Sequence, residues 1–168
     1  MSEESARSLV SLPKDAQAPR SADGGRLLTT GVDAAGRSCA VQDGAVTLDG
    51  FPGFEGILYS VLYQSDSPSI TDGGRAADIL DLGVAPGAIN WKVIDYGPGV
   101  AFSVHHTDTV DLDLVLSGSV ELILDDGAHP LETGDAAVVT GVDHGWSTGP
   151  AGCRLSVVSF GIAPSRRS

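Results

Sequence analysis

Residues 103–118, which read SVHHTDTVDLDLVLSG, decide the fold of this chain. Side chains alternate between the two faces of a strand, so His105 and Thr107 are predicted to point one way and His106 the other. A short turn follows, and the pattern predicts a second strand from Asp111, antiparallel to the first. This pairing would bring the Asp111 carboxylate back towards His105, and these two donors suit one metal ion.

The second half of this stretch supports two opposite interpretations. Its leucines alternate with Asp111 and Asp113, and amphipathic patterning alone would bury the leucines and expose the aspartates. If Asp111 faces the interior instead, parity places Asp113 inside as well, where it becomes a candidate catalytic acid or base. The alternation leaves the choice of face open.

Short apolar runs separated by turn residues continue along the rest of the chain from Arg26. They predict an all-β sandwich or barrel, with 57–64 among the strands, while 75–86 could carry one or two helical turns. The predicted organisation is a single domain with a flexible N-terminal tail, a part with N-terminal strands and a long loop, and a barrel core. These parts are 1–24, 25–90 and 91–163.

Composition excludes several classes of partner. The 168 residues carry a formal charge of −12, which disfavours nucleic acid and anionic membranes because the long-range field repels them. No apolar run has the length of a signal peptide or a membrane span, so the predicted location is cytoplasmic.

A second motif follows at residues 131–146, LETGDAAVVTGVDHGW, which contains a Gly-Asp turn and the sequence GVDH ending at His144. Together the two motifs resemble those of the cupin superfamily, and more narrowly those of small single-domain bacterial cupins. The first cupin motif has a histidine, a spaced acid and a closing glycine, which match His105, Asp111 and Gly118. The second closes in G-x-x-H. The resemblance runs from about Arg26 to Gly161 and implies a cupin-type jelly-roll β-barrel with an N-terminal extension.

The chain departs from the cupin pattern at two ligand positions. Thr107 stands where the second histidine is usual, and Asp111 replaces the usual glutamate. The resemblance therefore implies a metal set of His105, Asp111 and His144 for one divalent ion, either Fe, Zn, Mn or Ni. The competing hypothesis is that the fold persists without any metal.

The resemblance also implies a small-molecule substrate, and it favours an enzyme. The preferred hypothesis is proton transfer (isomerisation, dehydration, cyclisation or decarboxylation) on an organic acid or polyketide-like substrate. The alternatives are an Fe(II) dioxygenase and a metal-free small-molecule binding module. N-terminal extensions in small cupins often lend a strand to a neighbour, which predicts a homodimer. The predicted substrate pocket consists of Tyr59, Trp91, Phe102, Thr107 and Trp146.

Overall fold

All regular structure in the described part of the chain is β. The computed structural model describes residues 23–52, 56–69, 74 and 76–163. The strands are β1 (Asp23–Val32), β2 (Ser38–Thr47), β3 (Asp49–Gly50), β4 (Leu58–Tyr59), β5 (Ile89–Tyr96), β6 (Ala101–His105), β7 (Thr109–Leu124), β8 (Gly127–Glu132), β9 (Ala136–Val139) and β10 (His144–Gly161). The predicted all-β jelly-roll fold is confirmed. The predicted tail, 1–24, lies outside the described residues except for its last two, which begin β1.

Two long strands, β7 and β10, organise the main sheet. Its order is β2-β1-β9-β7-β10-β5, with β6 also paired to β10 and β8 to β7. Trp146 of β10 pairs with Phe102 of β6 and with Leu122 of β7, so these two neighbours lie on opposite edges of β10. The predicted direct pairing of β6 with β7 is therefore wrong, because β10 lies between them.

The core lies on both faces of β7. One cluster of buried side chains includes Leu28, Leu122 and Leu155, which are almost completely inaccessible to solvent. On the opposite face a second cluster contains Val110 and Val138, packed against residues of β1 and β2. Because apolar layers cover both faces in places, β7 does not have one water-facing side along its whole length.

The N-terminal strand belongs to its own chain's sheet. β1 pairs in parallel with β9, with Leu27 opposite Ala136, and antiparallel with β2. The backbone N–H of Arg26 donates a hydrogen bond of 2.9 Å to the Asp135 carboxylate in the turn before β9. These contacts tie β1 to β2, to β9 and to the turn before β9.

Two of the predicted segments differ in the structure. Of 57–64, only Leu58–Tyr59 is a strand, and its partner is the two-residue strand β3. Residues 76–86 contain no helical turn, because Ile79 forms a parallel bridge with His106 and the backbone hydrogen bonds are made there. Nor does any helix able to cross a membrane occur among the described residues.

Candidate functional site

A small cavity opens on the inner face of the main sheet, with a volume of about 60 Å³. Its lining residues are Leu80, Leu82, Lys92, Ile94, Tyr96, Phe102, His105, Thr107, Asp111, Asp113, His144, Trp146, Leu155 and Val157. A larger depression of about 520 Å³ is lined mainly by residues 79–86. No histidine or lysine lines this larger depression, so the smaller cavity is the candidate functional site.

The two predicted ligand histidines are direct neighbours in this cavity. His144 pairs with His105 across β10 and β6, and their ring centroids are 4.5 Å apart. His105 Nδ1 lies 2.9 Å from the Ser103 carbonyl oxygen, and His144 Nδ1 lies 2.8 Å from the Val142 carbonyl oxygen. A carbonyl oxygen only accepts hydrogen bonds, so each Nδ1 carries the proton and each Nε2 keeps a free lone pair. Metal-binding histidines are commonly held in this way.

Asp111 and Asp113 both face inward, against the amphipathic interpretation. Their exposed fractions are 5% and 6%, whereas Leu114 on the outer face is 40% exposed. Within the described part of the chain, Asp111 Oδ1 and Asp113 Oδ2 are buried without a hydrogen-bond partner. Buried polar atoms usually have partners, so two orphaned carboxylate oxygens beside one cavity indicate a place where a ligand completes the bonding.

Burial controls the acid–base properties of the cavity. It raises the pKa of Asp113 well above the usual value, and repulsion from Asp111 adds to this effect. The pKa of Asp111 is also raised by burial, although hydrogen bonds with Ser159 and Thr109 oppose the rise. Burial, with the Asp113 charge, raises the pKa of Tyr96 to about 12. The cavity therefore favours protonated carboxyl and phenol groups.

His144 is held in the neutral form. Burial, reinforced by the neighbouring His105, lowers its pKa to about 4. A neutral imidazole with a free Nε2 is the form that binds metal ions.

The histidine pair fits a metal ion, but a third ligand is not yet in place. Among the described residues, no three His, Cys, Asp or Glu side chains converge on a common point. Thr107, at 1% exposure, lies in the cavity at the position where the second histidine of the cupin motif is usual, and a hydroxyl is a weak substitute. The Asp111 carboxylate must therefore change its orientation before it can act as a third donor beside His105 and His144.

The structure separates the predicted pocket residues into two groups. Phe102, Thr107 and Trp146 line the cavity. Trp91 does not, because it lies on the outer face of β5 and is 78% exposed. Tyr59 does not either, since it lies in β4 and stacks with Phe51 at 4.7 Å between ring centroids.

Sequence reasoning missed Lys92 and Tyr96, two residues of β5 whose side chains face the cavity. The Lys92 ammonium lies in the cavity and donates a 2.6 Å hydrogen bond to Ser159 Oγ. It is the only Lys or Arg among the residues that line the cavity. The signal that could have revealed it is the alternation WKVIDY, in which Lys92, Ile94 and Tyr96 share one face.

His106 faces away from the cavity, as parity predicts, but it is not a surface residue. Its exposed fraction is 2%. The Nε2 atom lies 3.3 Å from Asp108 Oδ1, and Nδ1 lies 3.8 Å from Asp143 Oδ1. His106 is buried because the segment that bridges to it at Ile79 covers it.

Comparison with known proteins shows partial matches, all to relatives longer than the matched part. No family model matches the chain. It is 38% identical over 76 residues to a cupin-domain-containing oxidoreductase, srdD, of Neurospora crassa, covering 45% of this chain and 35% of that protein. It is also 37% identical over 62 residues to phomopsin biosynthesis cluster protein D of Diaporthe leptostromiformis, covering 36% and 33% of the two chains. The matched part thus spans about a third of the length of these curated relatives.

Solved structures align with parts of this chain. A sugar phosphate isomerase of the cupin superfamily from Silicibacter pomeroyi aligns with 22% identity and a TM-score of 0.39, over 43% of this chain and 50% of that one. A cupin superfamily protein from Desulfitobacterium hafniense aligns with 17% identity and a TM-score of 0.40, over 45% and 68%. The curated relatives named above are fungal, and the predicted bacterial origin stays a prediction.

Proposed function

We propose that this chain is a cupin-type, metal-dependent enzyme that moves a proton on a small organic acid or polyketide-like substrate. One observation carries the proposal: two histidines with free Nε2 atoms and two buried carboxyls with orphaned oxygens face the same cavity. Isomerisation, dehydration, cyclisation and decarboxylation all need such a proton transfer.

The residues of the cavity have separable roles in such a step. His105 and His144 would hold the ion, with Asp111 as the carboxylate donor, and a bound divalent ion supplies Lewis-acid polarisation of a substrate oxygen. The Lys92 ammonium binds the carboxylate of the substrate. Burial raises the pKa of Asp113 and so favours its protonated form, and the Asp113 carboxyl would donate that proton to the reacting carbon or oxygen.

Two other functions have support from specific observations. A set of two histidines and one carboxylate also suits Fe(II), and one relative is named an oxidoreductase, which favours an Fe(II) dioxygenase. The lack of three converging ligands among the described residues favours a metal-free binding module.

Metal content tests the proposal most directly. Untagged wild-type protein, dialysed against Zn, Mn, Ni or anaerobic Fe(II) and then freed of excess, is expected to retain about one ion per chain. The His105→Ala/His144→Ala double variant should retain less than about a tenth of that amount, because two nitrogen donors are gone. Elemental analysis measures both, and His129→Ala, which changes a histidine outside the cavity, is the matched control.

The outcomes separate the candidate functions. Equal, negligible metal in the wild type and the double variant would overturn the metal-dependent proposal and leave the binding module. With metal bound, oxygen uptake during turnover identifies a dioxygenase. Incorporation of solvent deuterium into product without oxygen uptake identifies proton transfer.

We also propose that the protein is a homodimer that pairs through the outer face of β5. Ile89, Trp91 and Val93 are 65%, 78% and 58% exposed on this strand, and Leu114 of β7 continues the patch. β5 is the last strand in the order of the main sheet. A long edge strand with exposed apolar side chains is a natural surface for pairing with a second copy. The patch itself is uncharged, and apolar contact between two copies of it would offset the repulsion between two acidic chains.

Replacing one side chain in this patch should dissociate the dimer. Trp91→Glu introduces a charge that would be desolvated at the centre of a two-fold interface, and we expect dimer affinity to fall more than about 10-fold. Sedimentation velocity over a range of concentrations measures the change. Val41→Glu, at a residue 59% exposed on β2, is the control and should sediment as the wild type does. A monomeric wild type, or a Trp91→Glu dimer of unchanged affinity, contradicts the prediction.

A further inference from the structure

The cavity is covered by residues 76–88, here called the lid segment. Leu80 and Leu82 of this segment are half-buried and line the cavity together with His105 and His144. The volume that remains beside these leucines is about 60 Å³. The space for a ligand beside the histidines is therefore set by the positions of these two leucines.

Hydrogen bonds hold the lid segment near its beginning. The Asp143 carboxylate accepts from the backbone N–H groups of Ala76 and Ala77, the latter at 2.8 Å. The backbone of His106 donates to the Asp78 carbonyl at 2.9 Å and accepts from the N–H of Leu80 at 2.7 Å. The first anchor of the lid segment therefore consists of His106 and Asp143.

The end of the lid segment is held by β10. The N–H of Gly87 donates to the Gly161 carbonyl at 2.8 Å, and the N–H of Gly161 donates to the Ala88 carbonyl at 2.9 Å. Between the two anchors, the hydrogen bond found in residues 81–84 runs from the Gly83 N–H to the Asp81 side chain of the same segment. The centre of the lid segment, which includes Leu82, is thus tied less closely to the barrel than its ends.

The first anchor and the cavity are built from adjacent residues at two places in the backbone. His106 follows His105, and Asp143 precedes His144, so each pair presents one side chain to the cavity and the other to the lid segment. The two outward side chains also approach each other, with His106 Nδ1 3.8 Å from Asp143 Oδ1.

We propose that the lid segment is a movable, specificity-determining cover that opens between its anchors and closes over a small carboxylic acid. The acid places its carboxylate at Lys92 and its short apolar part under Leu80 and Leu82, which sets the longest chain that the cavity accepts. The identity of the substrate as an acid rests on the function proposed above. The selectivity itself is a binding property and needs neither metal nor turnover.

Binding of acetate, butyrate and hexanoate to metal-free protein tests the chain-length limit by calorimetry. We expect butyrate to bind more tightly than hexanoate in the wild type. Leu82→Ala should raise the affinity for hexanoate by about 4-fold for each methylene newly accommodated. Because hexanoate has two methylenes more than butyrate, its gain in affinity should exceed that of butyrate by more than about 10-fold. Lys92→Met should weaken all three acids, whereas Val41→Ala, on β2, is the control and should leave them unchanged.

A second variant opens the cover from its far anchor. A Cβ at Gly161 would lie 2.0 Å from the Ala85 carbonyl oxygen, so Gly161→Ala must displace the end of the lid segment. Gly149→Ala is the matched control, because a Cβ there meets nothing within 4 Å. Hydrogen exchange should be faster at the amides of Leu80 and Gly87 in Gly161→Ala than in the wild type or the control, and butyrate should slow it in the wild type.

Several results would overturn the proposal. These are an unchanged preference between butyrate and hexanoate in Leu82→Ala, amide exchange in the lid segment that does not respond to butyrate, and failure of every acid to bind. Loss of the metal-dependent function alone, with the chain-length limit intact, would leave the cover in place and refute only the proposed chemistry.

Discussion

In metal-free protein, a fall in pH from about 7 to about 4 is expected to remove roughly 3 kcal/mol of folding free energy through His144 alone. Burial, reinforced by the neighbouring His105, lowers the folded-state pKa of His144 from 6.5 to about 4. Over this window the unfolded chain binds a proton that the folded chain excludes. Stability is therefore lost as the pH falls from the unfolded value through the folded pKa.

Urea unfolding in EDTA at several pH values measures this effect. Relative to His144→Asn, the wild type should lose roughly 3 kcal/mol of stability as the pH falls, because the variant carries no imidazole to protonate. Leu131→Val, which shortens a buried side chain in the barrel core, should be less stable than the wild type at every pH but keep its pH dependence. Parallel curves for the wild type and His144→Asn would contradict the prediction.

Asp113→Asn is expected to change the pH dependence in the opposite direction. Burial and the charge of Asp111 raise the folded-state pKa of Asp113, so the folded chain keeps a proton that the unfolded chain releases near pH 4. Wild-type stability should therefore decline relative to the variant as the pH rises through the folded pKa. Urea unfolding at several pH values measures this relative change. If Asp113 donates the proton in the reaction, the variant should also lose about 10² to 10⁴ in turnover.

Asp95→Asn is the control for this experiment. Asp95 is an exposed carboxylate whose pKa is lowered by its hydrogen bonds with Arg154, so its influence has the other sign and is weakened by solvent. It should not reproduce the change seen in Asp113→Asn. The effects of His144 and Asp113 on stability fall in overlapping pH ranges but have opposite signs. Each effect is therefore obtained as the difference in stability between the wild type and one variant. A relative stability of Asp113→Asn that does not vary with pH would refute the inward, protonated carboxyl.

The all-β fold could be predicted from turn residues and short apolar runs, but the face of each strand could not. The alternation around Asp111 and Asp113 is the same whichever way β7 faces. In the structure the outer face of β7 is partly covered by a second apolar cluster around Val110 and Val138. Leucines on that face are only partly accessible, and the inner face is free to line a polar cavity.

The same ambiguity explains the misplaced pocket residue on β5. Trp91 and Lys92 are adjacent, so an error of one position exchanges an outer aromatic for the cationic side chain of the cavity. The rule that charged residues lie outside favours the wrong choice. The histidine pair was more predictable, because both histidines belong to motifs in the chain, although the pattern did not reveal that β10 lies between β6 and β7.

The parallel pairing of β1 with β9 has a consequence for synthesis on the ribosome. Arg26 and its partner Asp135 are 109 positions apart, so β1 leaves the ribosome long before its neighbour in the sheet exists. At typical rates of 5 to 20 residues per second, this delay is about 5 to 20 seconds. During that time the hairpin of β1 and β2 exposes Leu27 and Leu28, which makes the nascent chain a natural client of chaperones that bind short apolar segments.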